Sequence, residues 1–410
     1  MKNILTVLCI FISLVTYSQG FLTSKNIKVD FSGFVRNDFI VDSRKNVCAC
    51  DHLLEFYPVR PEYDVNGEDI NNVANAHLLN TFSRIGTRFS GLKLGKALVS
   101  AYIEVDFTGF NATNGIRLRH AYTNFTFPKS TLLFGRTWHP TFIEKVYPSV
   151  LNENTGLPFQ VFNRSPQLRY THHLAKGFDF IAAAIYQFNY ANAGPFGKTY
   201  TYQRDAVVPN LHGQLQYFNN YWTLGAAFDW KSIQPRTFTS GTQGVFKTKE
   251  KLNTWSAIAY LKYSKEKLEV KAKTMYGQNV SESLLPGGYA VASVDPGTGA
   301  ETYTPLNHVY NWFNITYGKK WRAGLFAGYL KNLGTSEDPL NIFYGMATDI
   351  DNIYKISPQL IYTRENLMLG WELSMTTAAY GDINYNDYGK IINTESVTNI
   401  RNMLSVAYNF

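Results

Sequence analysis

The sequence predicts an all-β protein, a sixteen-stranded antiparallel transmembrane β-barrel with short periplasmic turns and long extracellular loops. Three observations predict it. First, four stretches carry an aromatic residue at each end of one strand face, eight residues apart: Phe178 and Tyr186, Trp222 and Trp230, Trp255 and Tyr263, Trp321 and Tyr329. Between the rings that face is apolar, as in Leu224, Ala226 and Phe228. At about 3.3 Å per residue the interval spans roughly 26 Å. A tilt of about 40° leaves roughly 20 Å of height, close to the apolar band between the aromatic girdles of a membrane barrel. Second, short polar turns alternate with long polar loops, the asymmetry of such barrels. Third, Leu404, Val406, Tyr408 and Phe410 alternate with Ser405, Ala407 and Asn409 to the last residue.

Taken in order, residues 1–18 read as a secretory signal: Lys2, an apolar run from Ile4 to Val15, then the small Thr16 and Ser18. Cys9 lies inside that run. Residues 19–410 are then the barrel domain, its first strand beginning near Val29. Short turns are read at Gly91–Lys96, Pro128–Ser130, Ala175–Gly177, Asn219–Asn220, Ser264–Glu266, Gly318–Lys320 and Arg364–Asn366. Long connections are read at 43–79, 108–116, 139–165, 190–207, 232–250, 279–306, 332–350 and 381–396. Seven turns and eight loops imply sixteen strands, an even number as these barrels require.

Alternation sets the facing. Ala97, Val99, Ala101, Ile103, Val105 and Phe107 oppose Ser100, Tyr102, Glu104 and Asp106, and Leu268, Val270 and Ala272 oppose Lys267, Glu269, Lys271 and Lys273. A charge on the lipid face costs roughly 2–4 kcal/mol near the midplane, so the charged faces must look inward. The 39 Lys and Arg against 31 Asp and Glu give +8. They form no stripe or tail, which argues against a nucleic-acid partner. No nucleophile–base–orienter set appears, and no nucleotide fingerprint, so no enzyme and no cofactor are expected. Cys48 and Cys50, with Asp51 and His52, make only a weak metal pattern. They read as two loop cysteines, separate or joined under strain.

Two segments carry a family resemblance. The first starts at Ser83-Arg84-Ile85-Gly86 and runs into Ala101 to Phe107 and Leu118-Arg119-His120-Ala121-Tyr122. The second is Leu133-Phe134-Gly135-Arg136-Thr137-Trp138-His139-Pro140, followed by Gly156-Leu157-Pro158-Phe159-Gln160 and Asn163-Arg164-Ser165-Pro166-Gln167. Together they resemble the DcaP-like branch of Gram-negative outer-membrane porins, over about residues 29–175. The resemblance implies a passive diffusion channel for small hydrophilic solutes, forming a homotrimer in the outer membrane. Members often carry Gln at the position of Arg136.

The expected lumen wall is Arg36, Asp38, Arg84, Arg88, Glu104, Asp106, Arg117, Arg119 and Arg136, with Arg117 and Arg119 inward if Leu118 and Tyr122 face lipid. Arginine rings select anions. The expectation is therefore a modest anion preference, which Glu104 and Asp106 could cancel. The 139–165 connection, holding Glu144, Lys145, Glu153 and Arg164, is expected to enter the lumen as a constriction loop, since irregular backbone is tolerated where it lines water. Phe410 is expected to serve the barrel-assembly machinery as its insertion signal. The alternative is a structural or adhesin barrel without significant transport.

Overall fold

The computed structural model describes residues 27–109 and 115–410; the signal segment 1–18 lies outside them. Sixteen long antiparallel strands close on themselves. The first is Lys28–Asp42, and the second runs as Asn75–Leu79 and Arg84–Leu94. The third to eighth are Ala97–Gly109, Gly115–Phe127, Ser130–Trp138, Arg164–Ala175, Phe178–Ile185 and Asn210–Phe218. The ninth to twelfth are Trp222–Ile233, Leu252–Lys265, Leu268–Gln278 and Glu301–Gly318. The last four are Trp321–Thr335, Ile350–Arg364, Leu367–Asn384 and Lys390–Asn409. Each pairs with its sequence neighbour. The first strand closes the barrel by pairing with the last, from Phe34 opposite Asn409 to Asp42 opposite Arg401. On its other side it pairs with both halves of the second strand.

The outer face is apolar and ringed. Phe134, Leu215, Trp321 and Leu404 are exposed upon it. Girdle rings meet across strands: Phe178 on Tyr217, Trp222 on Tyr263 and Trp321 on Tyr362, each pair 4.7 Å between centroids. An apolar belt of this extent is what a bilayer covers. The charged faces turn inward as the lipid argument requires.

Several boundaries differ from the sequence reading. The first turn is Gly95–Lys96, because the second strand continues through Leu94 past a bulge between Phe89 and Leu92. The constriction connection ends at Asn163, since Arg164 and Ser165 already pair with Trp138 and Thr137. The 332–350 connection shortens because the thirteenth strand reaches Thr335. The 381–396 connection shrinks to 385–389, where Ile383, Ile391 and Ile392 keep the two strands paired above the barrel; β-branched residues favour an extended chain over a loop. The 43–79 and 279–306 connections end at 74 and 300, where Asn75 and Glu301 open paired strands, while 190–207 widens to 186–209 and 232–250 shifts to 234–251; of the expected 108–116 loop, residues 110–114 lie outside the described residues.

A further correction concerns facing. A bulge sets Glu104 opposite His120 and the next residue, Val105, opposite Leu118, so one extra residue stands in the fourth strand. Arg119 and His120 both point inward, and the alternation shifts beyond them. Leu118 faces outward, but Tyr122 turns inward against Tyr102.

At the seam Phe410 exchanges two backbone hydrogen bonds with Gly33, each 3.0 Å. Deleting Phe410 removes both, about 1 kcal/mol each. Membrane-inserted protein per cell is expected to drop, while the conductance of those molecules that do insert stays unchanged. Normal insertion of the truncated chain would contradict this.

Candidate pore constriction

The connection 139–163 leaves the fifth strand and crosses the lumen to the opposite wall. Its entry is a short turn: His139 caps Pro140–Phe142 by accepting from Thr141 N–H. Phe142, Ile143, Val146, Leu151, Leu157, Phe159 and Phe162 are buried along it. The far wall then holds it by its backbone. Lys273 Nζ donates to the Thr141 carbonyl (2.6 Å) and to Gln160 Oε1 (3.1 Å), which also accepts from Trp312 Nε1 (3.1 Å). Lys355 donates to the Leu157 carbonyl and Gln359 to that of Ser149, while from the near wall Arg36 donates to that of Leu151. Glu372 Oε2 accepts from Leu151 N–H and Asn152 N–H. Two glycines make room: a Cβ on Gly328 would overlap the Phe159 ring, and one on Gly370 would overlap Leu151.

The loop's near side faces the arginine wall. Arg36 pairs with Asp38 (2.8 Å) and Glu153 (2.9 Å), and Arg84 with Glu153 (3.2 Å). Arg119 pairs with Glu104 (2.6 Å) and Asp106 (2.8 Å), and Arg117 with Asp106 (2.7 Å). Arg88 lies over the Tyr102 ring at 5.1 Å. Arg164, on the sixth strand, is 1% exposed and stacks on Trp138 at 3.7 Å. Trp138 in turn stacks on Phe142 at 3.9 Å. Neither Arg88 nor Arg164 makes an ion pair among the described residues. Arg136 stands apart from this cluster and donates to Asn189 (2.8 Å).

Between wall and loop lies a space of about 240 Å³ bordered by Arg84, Arg119, Arg164, Glu104, Glu144 and Glu153. A second space of about 250 Å³ lies beyond Glu144, toward the short turns, and is bordered by Lys145, Arg169 and Asp179. Glu144 reaches Arg169 at 3.7 Å, and Lys145 lies over the Phe218 ring at 3.9 Å. All four charged residues expected of the loop segment therefore line one of these spaces or hold its walls. Burial raises the Glu153 carboxyl, but the Arg84 and Arg36 guanidiniums outweigh that and hold it below the usual carboxylate range.

The sequence reading missed a second inward segment. The first long loop folds a hairpin, Asn46–Ala49 against Leu54–Pro58, whose Leu54, Phe56 and Tyr57 are buried inside the barrel. Glu55 at its centre is fully buried on Lys355 (2.9 Å) and accepts from Asn399 and Thr376. Its carboxyl is also held low: burial raises it, and Lys355 and Arg401 more than offset that. Cys48 and Cys50 are two free thiols on this hairpin, with Cys50 Sγ 3.4 Å from Arg117 Nη1. The inward lysines of the eleventh strand were visible as alternation, whereas Lys355 of the fourteenth was not read from the sequence. Their loop partners had no sequence signal.

Closed strands, an apolar exterior and a loop folded across a charged lumen define a transmembrane β-barrel of channel architecture. No family model matches the chain, and no curated protein does. Among solved structures it is similar to the outer membrane channel DcaP of Acinetobacter baumannii, with TM-score 0.68 and 18% identity over 95% of this chain and 99% of that one. It is also similar to OmpT of Vibrio cholerae, with TM-score 0.56 and 11% identity over 95% and 99%. Salmonella typhi OmpF, in complex with daunomycin, gives TM-score 0.53 and 11% identity over 94% and 98%. These likenesses are likenesses of fold.

Two predictions follow from the loop's anchoring. A carboxyl held low contributes stability above its unfolded pKa and loses it as pH falls through the folded value. Glu153 therefore holds the loop at neutral pH and releases it only in acid, as pH falls below the usual carboxylate range. Single-channel current should grow noisier there, and Glu153→Gln should bring the noise to neutral pH at a cost of roughly 3 kcal/mol. A quiet Glu153→Gln channel would place the anchor elsewhere. Gly328→Val should push Phe159 off the wall, raising conductance and costing about 1–3 kcal/mol by overpacking; unchanged conductance in a folded Gly328→Val barrel would show that the loop does not set the bore.

Proposed function

We propose that the chain is a passive diffusion channel for small hydrophilic solutes in the outer membrane of a Gram-negative bacterium, with a modest preference for anions. The observation that carries the reading is the 139–163 loop laid across the lumen opposite a wall of arginines. A structural barrel has no need of a narrowed, charged bore. The likeness to outer-membrane channels supports it. A homotrimer is part of the reading, supported by the similar fold of in-vitro folded OmpT described in its trimer form, with TM-score 0.56 at 10% identity. Assembly through the barrel-insertion machinery, with Phe410 as its signal, also belongs to it.

The preference is modest because the wall is nearly balanced. Arg36, Arg84, Arg117, Arg119 and Arg169 each have a carboxylate partner among Asp38, Glu104, Asp106, Glu144 and Glu153. The excess is Arg88 and Arg164, which have no carboxylate partner among the described residues. We read no catalysis here. Thr141 Oγ lies 2.7 Å from His139 Nδ1, with Asp229 3.8 Å beyond Nε2, but that hydroxyl is 3% exposed beneath the loop. One observation favours the second reading, a barrel without transport: the 46–58 hairpin occupies the long-loop half of the lumen.

Planar-bilayer recording separates the two, since only a channel gives unitary conductance. Under a salt gradient at 0.1 M the reversal potential should indicate roughly twofold anion preference. The preference should fade toward 1 M, where the Debye length is about 3 Å. Arg88→Gln with Arg164→Gln should abolish it. Cation preference in the unaltered protein, or no shift in that double variant, would make these arginines wall contacts only.

A further inference from the structure

The chain's excess positive charge is not gathered in the lumen. It lies on the rim formed by the short turns. Five of the seven turns carry an exposed lysine: Lys96, Lys129, Lys176, Lys267 and the pair Lys319 and Lys320. Lys93, Lys265 and Arg364 flank turns and are exposed too, while Glu266 and Glu365 are the acids among them. Nine basic groups thus stand against two acidic ones, a rim of about +7 in a chain whose formal net charge is +8. Lys28 is also at this rim and is cancelled by Asp30 at 3.0 Å. The opposite end differs in sign. Leaving out the 46–58 hairpin and the 139–163 loop, which enter the lumen, the fully described long loops hold nine Lys and Arg against twelve Asp and Glu.

We propose that this rim is a binding surface for anionic phospholipid headgroups, a ring of which it holds around the barrel in the leaflet facing the short turns. Charge sign calls for an anionic partner, and geometry favours lipid over a soluble one. The basic groups run around the circumference, missing only the Asn219–Tyr221 turn, whereas a docked macromolecule would be met by a patch on one side. They also stand beside the girdle rings that mark the edge of the hydrocarbon. Lys129 follows exposed Phe127, Lys176 precedes exposed Phe178, and Lys319 and Lys320 lie between exposed Tyr317 and Trp321. Lys320 Nζ is 5.5 Å from the Tyr362 ring. An amine on a four-carbon stem at that depth reaches phosphate while its stem stays on apolar surface. The surface is separate from the bore, so the inference stands or falls independently of conductance.

The test uses the full barrel in phosphatidylcholine vesicles doped with spin-labelled phosphatidylglycerol or spin-labelled phosphatidylcholine. At 0.1 M salt the immobilised fraction should favour phosphatidylglycerol roughly threefold. The ratio should approach one at 1 M, as contacts beyond about 3 Å are screened. A variant combining Lys96→Gln, Lys129→Gln, Lys176→Gln, Lys319→Gln and Lys320→Gln should lose most of the selectivity while keeping the parent's unitary conductance. Glu266→Gln with Glu365→Gln should raise it, which keeps the test open if the lysine variant fails to fold. Equal immobilisation of both lipids by the parent, or no change in either variant, would overturn the proposal. So would a lysine variant that loses co-sedimentation with peptidoglycan while its lipid selectivity is unchanged, since the rim would then serve a soluble polymer.

Discussion

The constraint on which the rest depends is that charge cannot face hydrocarbon. A barrel strand shows every second side chain to lipid, so each charged residue within the belt must point inward. A lumen walled this way is crowded with ions drawn partly out of water, and each is costly unless partnered. Here some partners sit on neighbouring strands, as Asp106 does for Arg117 and Arg119, and others come from loops. Lys355 finds Glu55 of the hairpin and the Leu157 carbonyl of the constriction loop, and Lys231 finds Glu282 at 2.6 Å. Arg401 finds Asp42 at 2.8 Å on the strand across the seam. Inward loops are, in this light, the counter-charges of the wall as much as obstacles in the bore.

That explains what could be read from the sequence and what could not. Strand facing is local, with a period of two, so the lipid belt, the inward lysines of the eleventh strand and the strand count were legible. So were the crossing loop and most of its wall, since Arg84, Arg117 and Arg119 alternate with outward apolar residues. Loop docking is not local. Glu55 and Lys355 are 300 residues apart and share no pattern. The hairpin's apolar run of Leu53, Leu54, Phe56 and Tyr57 was present in the sequence, but nothing local distinguishes burial inside a barrel from a short strand at its mouth. The bulge at Arg119 and His120 escaped for the opposite reason. It is local, and its one sign was the polar His120 at a position that strict alternation turns to lipid, while the aromatic Tyr122 suits either face.

Arg164 shows how an ion can be kept without a counter-ion. Its neighbours are π faces: Trp138 at 3.7 Å and Phe162 at 4.8 Å, with one hydrogen bond to Tyr190. Cation–π contact is worth roughly 2 kcal/mol or more when desolvated, less than a good ion pair but without a cancelling charge. The guanidinium therefore remains electrostatically visible to a passing solute, whereas Arg117 and Arg119 are largely spent on Asp106 and Glu104. In a wall that is mostly neutralised, selectivity rests on the few charges held by aromatic rings.

The same reasoning separates the two ends of the molecule from its middle. Lumen charges compensate one another because their field is confined in a low-dielectric bore, where an imbalance of even a few units is expensive. Rim charges sit in high dielectric with mobile counter-ions, so nine basic groups tolerate two acids there. Net charge thus accumulates where it is cheapest to hold, at the water boundary, and its sign at each end is free to follow the surface that end faces. A whole-chain value of +8 consequently reports on the rim and says little about the bore. The bore's preference must be read from individual residues and their partners.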